Sequence, residues 1–446
     1  MIERQRKASR TTVRSERLYR KATKFITGGV HSSFRFQEPY PRYFARAKGP
    51  YVWDIDGNKY VDCIVNNGAC ILGHNDADVT QAVRKQIGVG LTVSLESELS
   101  VRTAEFLAAM IPSAEVVKFS NTGTEAVMHA IHIARGYSGK NKIAKVEGGY
   151  NGWYDYASVS THPKLEDAGP ASNPVAVPAS SGLARDTAKE TIILPFNDVD
   201  NTTRIIRERK DELAAVIMEP VMFNVGCVLP KNDYLKVVRE LTQELGIILI
   251  FDEVITGFHL APGGAQEYYG VIPDISTFGK AIANGFPLAA VVGKHEFMDI
   301  TDPKKGKVAY SGTYNGSQMS LAASLATLSK LKSGKVQKRL HESTKFLAME
   351  FEVAAREIAI EARLVGIGGK FQTYFGNMEP VDYRTAIATD HKKYEAFRNE
   401  VIGAGVLMHP TFIVHHGITV AHTKADLRTV ISVMKKGLKK AKELGS

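Results

Sequence analysis

Hydrophobic positions in the middle of this chain follow two alternating rhythms. Compact apolar runs, among them LAAVIM at 213–218 and GIILIF at 246–251, have the length and composition of strands buried on both faces. Stretches of helical periodicity lie between such runs, with short turn signals at the joins, from residue 76 to about residue 320. That alternation predicts an α/β fold around a mainly parallel sheet. Ahead of it, YVWDIDGNKYVDC at 51–63 alternates apolar and polar positions about Asp56 and Gly57, which predicts a β-hairpin following a basic N-terminal helix. Beyond it, residues 321–446 carry long helical patterns and fewer strand candidates. The contrast predicts a large domain over 50–320 and a smaller α+β domain made from both ends, 1–49 and 321–446. Neither an internal repeat nor a heptad run occurs.

One stretch breaks the rhythm. Residues 161–186, THPKLEDAGPASNPVAVPASSGLARD, are rich in Pro, Ala, Ser and Gly. Long irregular segments inside compact domains serve as lids or binding loops, and tolerated surface insertions look the same in composition.

Two consecutive apolar runs end in groups that carry chemistry: Asp252 in GIILIFDEVITGF and Lys280 in PDISTFGKAIANGFP. A buried strand that stops at an acid delivers a carboxylate to the carboxyl edge of the sheet, where ligands bind in open α/β folds. Taken singly, an acid there also reads as a helix cap or ion pair, and most lysines are solvated. Together they suggest a pyridoxal phosphate enzyme. A buried carboxylate needs a cation, which a protonated pyridine nitrogen supplies, and a desolvated amine forms a Schiff base with an aldehyde. Upstream, VVKFSNTGTEAVMHAIHIARGY passes from an apolar run through a polar turn into a helical pattern, a natural place for an anion at a helix N-terminus.

Composition sets the class. At 446 residues, 44% hydrophobic and 23% charged, the chain has the make-up of a soluble globular protein large enough for two or more domains. No apolar run is long enough for a membrane span, and the start MIERQRKASR lacks the apolar core of a signal peptide, so a cytoplasmic protein is expected. Cys63, Cys70 and Cys227 form no metal-ligand or disulfide spacing and read as small buried thiols. The net charge of +10 gathers at the ends, in Arg4, Arg6, Lys7, Arg10, Arg14, Arg17, Arg20, Lys21 and Lys24, and in Lys435, Lys436, Lys439, Lys440 and Lys442. These look like solvated helix faces, and without an RNA-binding or zinc-finger signature they point to neither nucleic acid nor membrane as partner.

The order and setting of Asp252 and Lys280, with NTGTEA at 121–126, resemble the class III aminotransferases of pyridoxal phosphate fold type I, across nearly the whole chain. Within that family the chain is most similar to the glutamate-1-semialdehyde 2,1-aminomutase branch. The resemblance implies pyridoxal 5'-phosphate as cofactor, Lys280 as its Schiff-base lysine and Asp252 as partner of the ring nitrogen. It places Thr122, Gly123 and Thr124 at the phosphate, Tyr150 stacked on the ring, and Asn224 at the ring phenolate oxygen, with Glu219 shaping the pocket. Gly312 and Thr313, in AYSGTYNGSQMS, would bind the phosphate of a neighbouring subunit, which implies a homodimer with a shared active site. Arg35, in GGVHSSFRF, matches an arginine that binds a substrate carboxylate. Residues 161–186 match the place of a mobile loop over the active site.

The chain also departs from the branch. Asn151 follows the stacking tyrosine where His is common, Asn66 and Asn67 precede Gly68 where an aromatic residue is usual, Val414 replaces a Glu, and His259 stands where TGF is followed by Arg. Cofactor machinery kept beside changed substrate surroundings leads to the expectation of an aminotransferase. It would move an amino group between a carboxylate-bearing α- or β-amino acid and an oxo acid. The alternatives from the same residues are the aminomutase itself or an amino-acid racemase, and, remotely, a non-catalytic nucleic-acid-binding protein.

Overall fold

The apolar runs of the middle of the chain assemble into one seven-stranded sheet. The computed structural model describes residues 10–91, 94–184, 186–304 and 306–445, so the expectation of solvated faces at Arg4, Arg6 and Lys7 lies outside the described residues. Across the sheet the strands run Val116–Ser120, Ala289–Gly293, Ile275–Phe278, Ile248–Glu253, Leu213–Met218, Lys142–Val146 and Thr191–Leu194. From Ile275–Phe278 to Thr191–Leu194 all neighbours are parallel, and Ala289–Gly293 is antiparallel to the strands on both its sides. This is the mainly parallel α/β sheet of fold type I.

Leu213–Met218 and Ile248–Glu253 are buried at every position, which is why they read as continuous apolar runs and not as alternation. Successive side chains serve opposite faces. Ala215, Ile217, Ile248 and Ile250 pack with Ala126, Val127, Ala130 and Ile131 of the helix Gly123–Ser138. Val216, Met218, Leu249 and Phe251 pack with Ile205 and Ile206 of Val199–Arg209 and with Leu235, Val238 and Leu241 of Tyr234–Glu244.

The expected hairpin is present: Tyr51–Asp54 pairs antiparallel with Lys59–Asp62. Phe44–Lys48 extends it on one side and Val406–Leu407 joins it in parallel on the other. Residues 49 and 50 thus lie between two paired strands, and 320 and 321 lie within the helix Gln318–Leu331. The turn residue Asp56 accepts hydrogen bonds from Arg14 N–H at 2.6 Å, Ser15 N–H at 3.0 Å and the Ser15 hydroxyl at 2.6 Å, which ties the helix Val13–Ala22 to the hairpin. Near the C-terminus, Ala362–Ile367, Lys370–Phe375 and His416–Gly417 form a three-stranded sheet beside the helices Lys335–Ile358, His391–Gly403 and Lys424–Lys442.

Residues 161–184 have no regular structure but are firmly held. Arg384 forms a bidentate pair with Glu147, at 2.8 and 2.7 Å, and donates to the carbonyls of Gly169 at 2.9 Å and Ala168 at 3.2 Å. The Tyr383 hydroxyl donates to Pro163 O at 2.6 Å. All three cysteines are free and buried. Among the described residues no helix is long and apolar enough to cross a membrane, and no cluster of His, Cys, Asp and Glu could hold a metal.

Candidate active site

Five strands of the large sheet and the segments that follow them bring Thr122, Gly123, Thr124, Tyr150, Asn224, Asp252 and Lys280 around one cavity of about 320 Å³, with Glu219 also in its wall. Seven of the ten expected site residues therefore converge. Arg35, Gly312 and Thr313 do not line it.

Asp252 is the penultimate residue of its strand and is buried. Its Oδ2 accepts from Asn151 Nδ2 at 2.8 Å, and its Oδ1 accepts from Val254 N–H at 3.1 Å and from the Thr277 hydroxyl at 3.4 Å. Burial nevertheless raises its pKa above the ordinary value, against the opposing pull of these hydrogen bonds and of Lys280. Lys280 opens the short turn Lys280–Ala283 after Ile275–Phe278, with its own backbone at φ +46°, a conformation that costs energy for a residue with a side chain. Burial pulls its ammonium down to about 8, against the opposing pull of Asp252 and Glu219.

Glu219 extends the wall. Its Oε2 accepts from the N–H groups of Phe223 at 3.2 Å and Asn224 at 3.3 Å, while its buried Oε1 has no hydrogen-bond partner among the described residues. Burial, reinforced by Asp252, lifts its carboxyl to about 8. Asn224 Nδ2 donates to Tyr150 O at 3.2 Å, and the Tyr150 ring meets Phe34 edge-on at 6.5 Å.

The polar turn after Val116–Ser120 is a capping box. Glu125 N–H donates to Thr122 Oγ1 at 3.2 Å, and Glu125 Oε2 accepts from Asn121 N–H at 2.6 Å and Thr122 N–H at 3.2 Å. The first N–H groups of the helix have no partner within it and face the cavity end of the dipole. Glycine is required here by space: a Cβ on Gly123 would lie 2.9 Å from Val254 Cγ1, and one on Gly152 would lie 2.8 Å from Thr124 Cα.

Three functional side chains escaped the sequence reading. Asn151 figured there only as a lost imidazole, yet its amide holds Asp252. His162 Nε2 donates to Asn224 O at 2.6 Å, so the 161–184 loop reaches the cavity wall. Lys145 is fully buried beneath the site, where its Nζ donates to Gly149 O at 2.7 Å and Val159 O at 2.6 Å. A lysine inside the apolar run KIAKV was the available signal for the last.

Of the residues apart from the cavity, Arg35 is exposed and makes no side-chain hydrogen bond among the described residues, although its neighbour Phe34 touches both Tyr150 and His409. Gly312 and Thr313 line a separate hollow with Ser94, Leu95 and Glu96. Asn315 of that segment accepts from Asn121 Nδ2 at 3.0 Å. The positions that depart from the branch at 259 and 414 do not line the cavity: Val414 is buried, and the His259 ring nitrogens face Gly68 O at 2.9 Å and Gly368 O at 3.1 Å.

The residues present fit pyridoxal phosphate. A buried carboxylate in no salt bridge among the described residues suits a protonated ring nitrogen, an amine of lowered pKa suits an aldehyde, and a helix N-terminus lined by glycine suits a phosphate. Comparison with known proteins agrees. A family model described as Aminotransferase class-III matches residues 35–408. The chain is 41% identical over 398 residues to the glutamate-1-semialdehyde 2,1-aminomutase of Methanocaldococcus jannaschii, a match covering 89% of this chain and 91% of that protein. A crystal structure of an omega-transaminase from Sphaerobacter thermophilus superposes with a TM-score of 0.92 at 32% identity, covering 96% of this chain and 98% of that one. A glutamate-1-semialdehyde-aminomutase from Pseudomonas aeruginosa PAO1, at 24% identity and a TM-score of 0.86 over 96% of this chain and 95% of that one, shares the fold. Asp252, Lys280 and the capped turn at 121–124 thus stand on the scaffold of a known enzyme class: the chain belongs to the class III aminotransferases, which work with pyridoxal 5'-phosphate.

Proposed function

We propose that this enzyme moves an amino group between adjacent carbons of a single carboxylate-bearing substrate, as a glutamate-1-semialdehyde 2,1-aminomutase. The observation that carries the reading is the 41% identity to a relative of that name over 398 residues. It outweighs the intermolecular aminotransferase reading drawn from a few wall positions. That second reading keeps the support of the omega-transaminase likeness and of the departures from the branch at Asn67 and Val414.

Bound pyridoxal phosphate supplies an aldehyde and an electron-withdrawing ring. Lys280 Nζ holds the cofactor covalently and, when released, carries a proton between carbon atoms as general base and acid. Asp252 keeps the ring nitrogen protonated, and Asn151 fixes the carboxylate that does so. Thr122, Gly123 and Thr124 hold the phosphate from within the chain, Tyr150 covers the ring, and Asn224 meets its phenolate oxygen. Gly312 and Thr313 reach the phosphate of a second copy across a homodimer. Supporting this, they are exposed and lie outside their own chain's cavity, beside the exposed Leu95 and Tyr314. Arg35 takes the substrate carboxylate with its planar fork. A cytoplasmic setting completes the reading.

The test supplies glutamate 1-semialdehyde without any external amino donor or acceptor. Formation of 5-amino-4-oxopentanoate, one per substrate consumed, is the expected result. Amine transfer from an amino acid to pyruvate or 2-oxoglutarate, without internal transfer, would establish the second reading instead.

A further inference from the structure

A single buried amine closes the neck of the loop that carries two of the cavity residues. Lys145 lies in Lys142–Val146, an interior strand of the large sheet, and is 0% exposed. Its Nζ donates to Gly149 O at 2.7 Å and to Val159 O at 2.6 Å. Residues 150–158, between those carbonyls, form no helix or strand, so their course depends on how the two ends are held. Tyr150 and Asn151 directly follow the first carbonyl. Gly148 N–H donates to Ser160 O at 2.9 Å, which closes the same neck one residue further out. The Thr161 hydroxyl gives Gly149 O a second donor at 3.2 Å.

An apolar residue would suit this strand better than a lysine. Ile143, Ala144 and Val146 are buried with apolar side chains, and a lysine among them costs desolvation energy that its two hydrogen bonds must offset. Burial draws the ammonium down to about 7, against the opposing pull of Glu219 and Asp252. Two N–H groups remain when the third proton leaves, and two carbonyls take them. From this joint the loop runs on one side to the cavity, where Asn151 Nδ2 donates to Asp252 Oδ2 at 2.8 Å and Trp153 N–H to Thr124 Oγ1 at 3.0 Å. On the other side Val159 forms a bridge with Pro178, and Ser160 N–H donates to Val177 O at 2.6 Å. The same amine thus lies where the 161–184 loop is stitched to the site.

We propose that Lys145 is a positioning residue for the cofactor: by holding the Gly149 and Val159 carbonyls on one amine it closes the 149–159 loop from beneath, and so fixes Tyr150 over the ring and Asn151 against Asp252. Without the amine, Val159 O has no donor among the described residues, and Gly149 O keeps only the longer bond from Thr161. A loosened neck lets Tyr150 and Asn151 drift while Lys280, on a different strand, stays in place. The loss falls on the chemical step and not on substrate affinity. The inference rests on the placing of Tyr150 and Asn151 at the cofactor under the proposed function.

The experiment uses full-length enzyme loaded with pyridoxal phosphate. Lys145→Met keeps most of the side-chain length and removes both donors. Segment 149–160 should then exchange its backbone hydrogens about tenfold faster, read by mass spectrometry, with the helix Gly123–Ser138 unchanged. The circular dichroism of the bound cofactor should fall while the covalent link stays, and kcat should drop about tenfold with KM within about twofold. In an Asn151→Ala background the same substitution should cost about threefold or less, because part of what it positions is already gone. A purely structural lysine would speed exchange throughout the sheet, or multiply its full loss with that of Asn151→Ala, and either result overturns the proposal. If Lys145→Met does not fold, Thr161→Val tests the same carbonyl with the lysine in place. Exchange at 149–160 should then rise about two- to threefold, and an unchanged profile overturns the proposal. If Asn151→Ala alone alters neither turnover nor the dichroism, the placing of Asn151 fails. If it alters both and Lys145→Met still adds its full loss, only the role of Lys145 does.

Discussion

At the floor of the cavity Asp252 takes three hydrogen bonds from its own chain, whereas at the rim the side chains of Arg35 and Thr313 are exposed and make none among the described residues. Floor residues sit at strand ends, where packing fixes the backbone before any ligand arrives. Rim residues sit on short turns and make no side-chain hydrogen bond among the described residues. The floor is therefore set by packing within the chain, and under the proposed function the rim is where a substrate or a second copy would supply the contacts.

If that division is right, damage should grade from floor to rim. Lys280→Ala should abolish both turnover and the covalent link, read as loss of a cofactor-sized mass increment after borohydride reduction. Asp252→Asn should retain cofactor but lower turnover by orders of magnitude, because an amide cannot hold the ring nitrogen protonated. Near-normal turnover in that variant would remove Asp252 from the chemistry.

Asn151→Ala separates orientation from charge. Loss of one hydrogen bond to a buried carboxylate is worth about 1–3 kcal/mol, so turnover should fall by roughly one to two powers of ten with cofactor still bound. Steady-state rates at saturating cofactor measure this, and a change confined to KM would place Asn151 outside the floor.

At the rim, Thr313→Ala should weaken cofactor retention by about 1–3 kcal/mol through a lost phosphate hydrogen bond. Mixing these subunits with Lys280→Ala subunits sharpens the point. A shared site predicts one doubly defective and one intact centre per mixed dimer, so titrated activity should not vanish. Arg35→Lys should have the smallest effect, a several-fold rise in KM for carboxylate substrates with kcat and the cofactor absorbance unchanged. Equal losses with amines that lack a carboxylate would show that Arg35 does not read the substrate.

The same division explains how much could be read from the sequence. Asp252 and Lys280 were legible because each ends an apolar run, and the hairpin was legible because its alternation and Asp56–Gly57 turn are local. The antiparallel course of Ala289–Gly293 was not, since a strand buried at every position reads the same in either direction. The Asn151 bond to Asp252 spans 101 residues of sequence, and no local pattern signals it. Gly312 and Thr313 stood out only through the family resemblance, because no apolar run or capping pattern in their segment marks them. Weighting Asn67, Val414 and His259 toward an intermolecular aminotransferase overvalued a few wall positions against similarity along most of the chain.

The clamp between Arg384 and Glu147 joins residues 237 positions apart, and the contact of Tyr383 with Pro163 joins residues 220 apart. During synthesis the floor strands and Lys280 are complete well before residues 383 and 384 leave the ribosome. The contacts that fasten the 161–184 loop consequently form only late in synthesis. A chain cut short of residue 383 would carry every strand of the cofactor floor without those fastenings, which makes the C-terminal end of the chain a timer for the moment the loop is pinned.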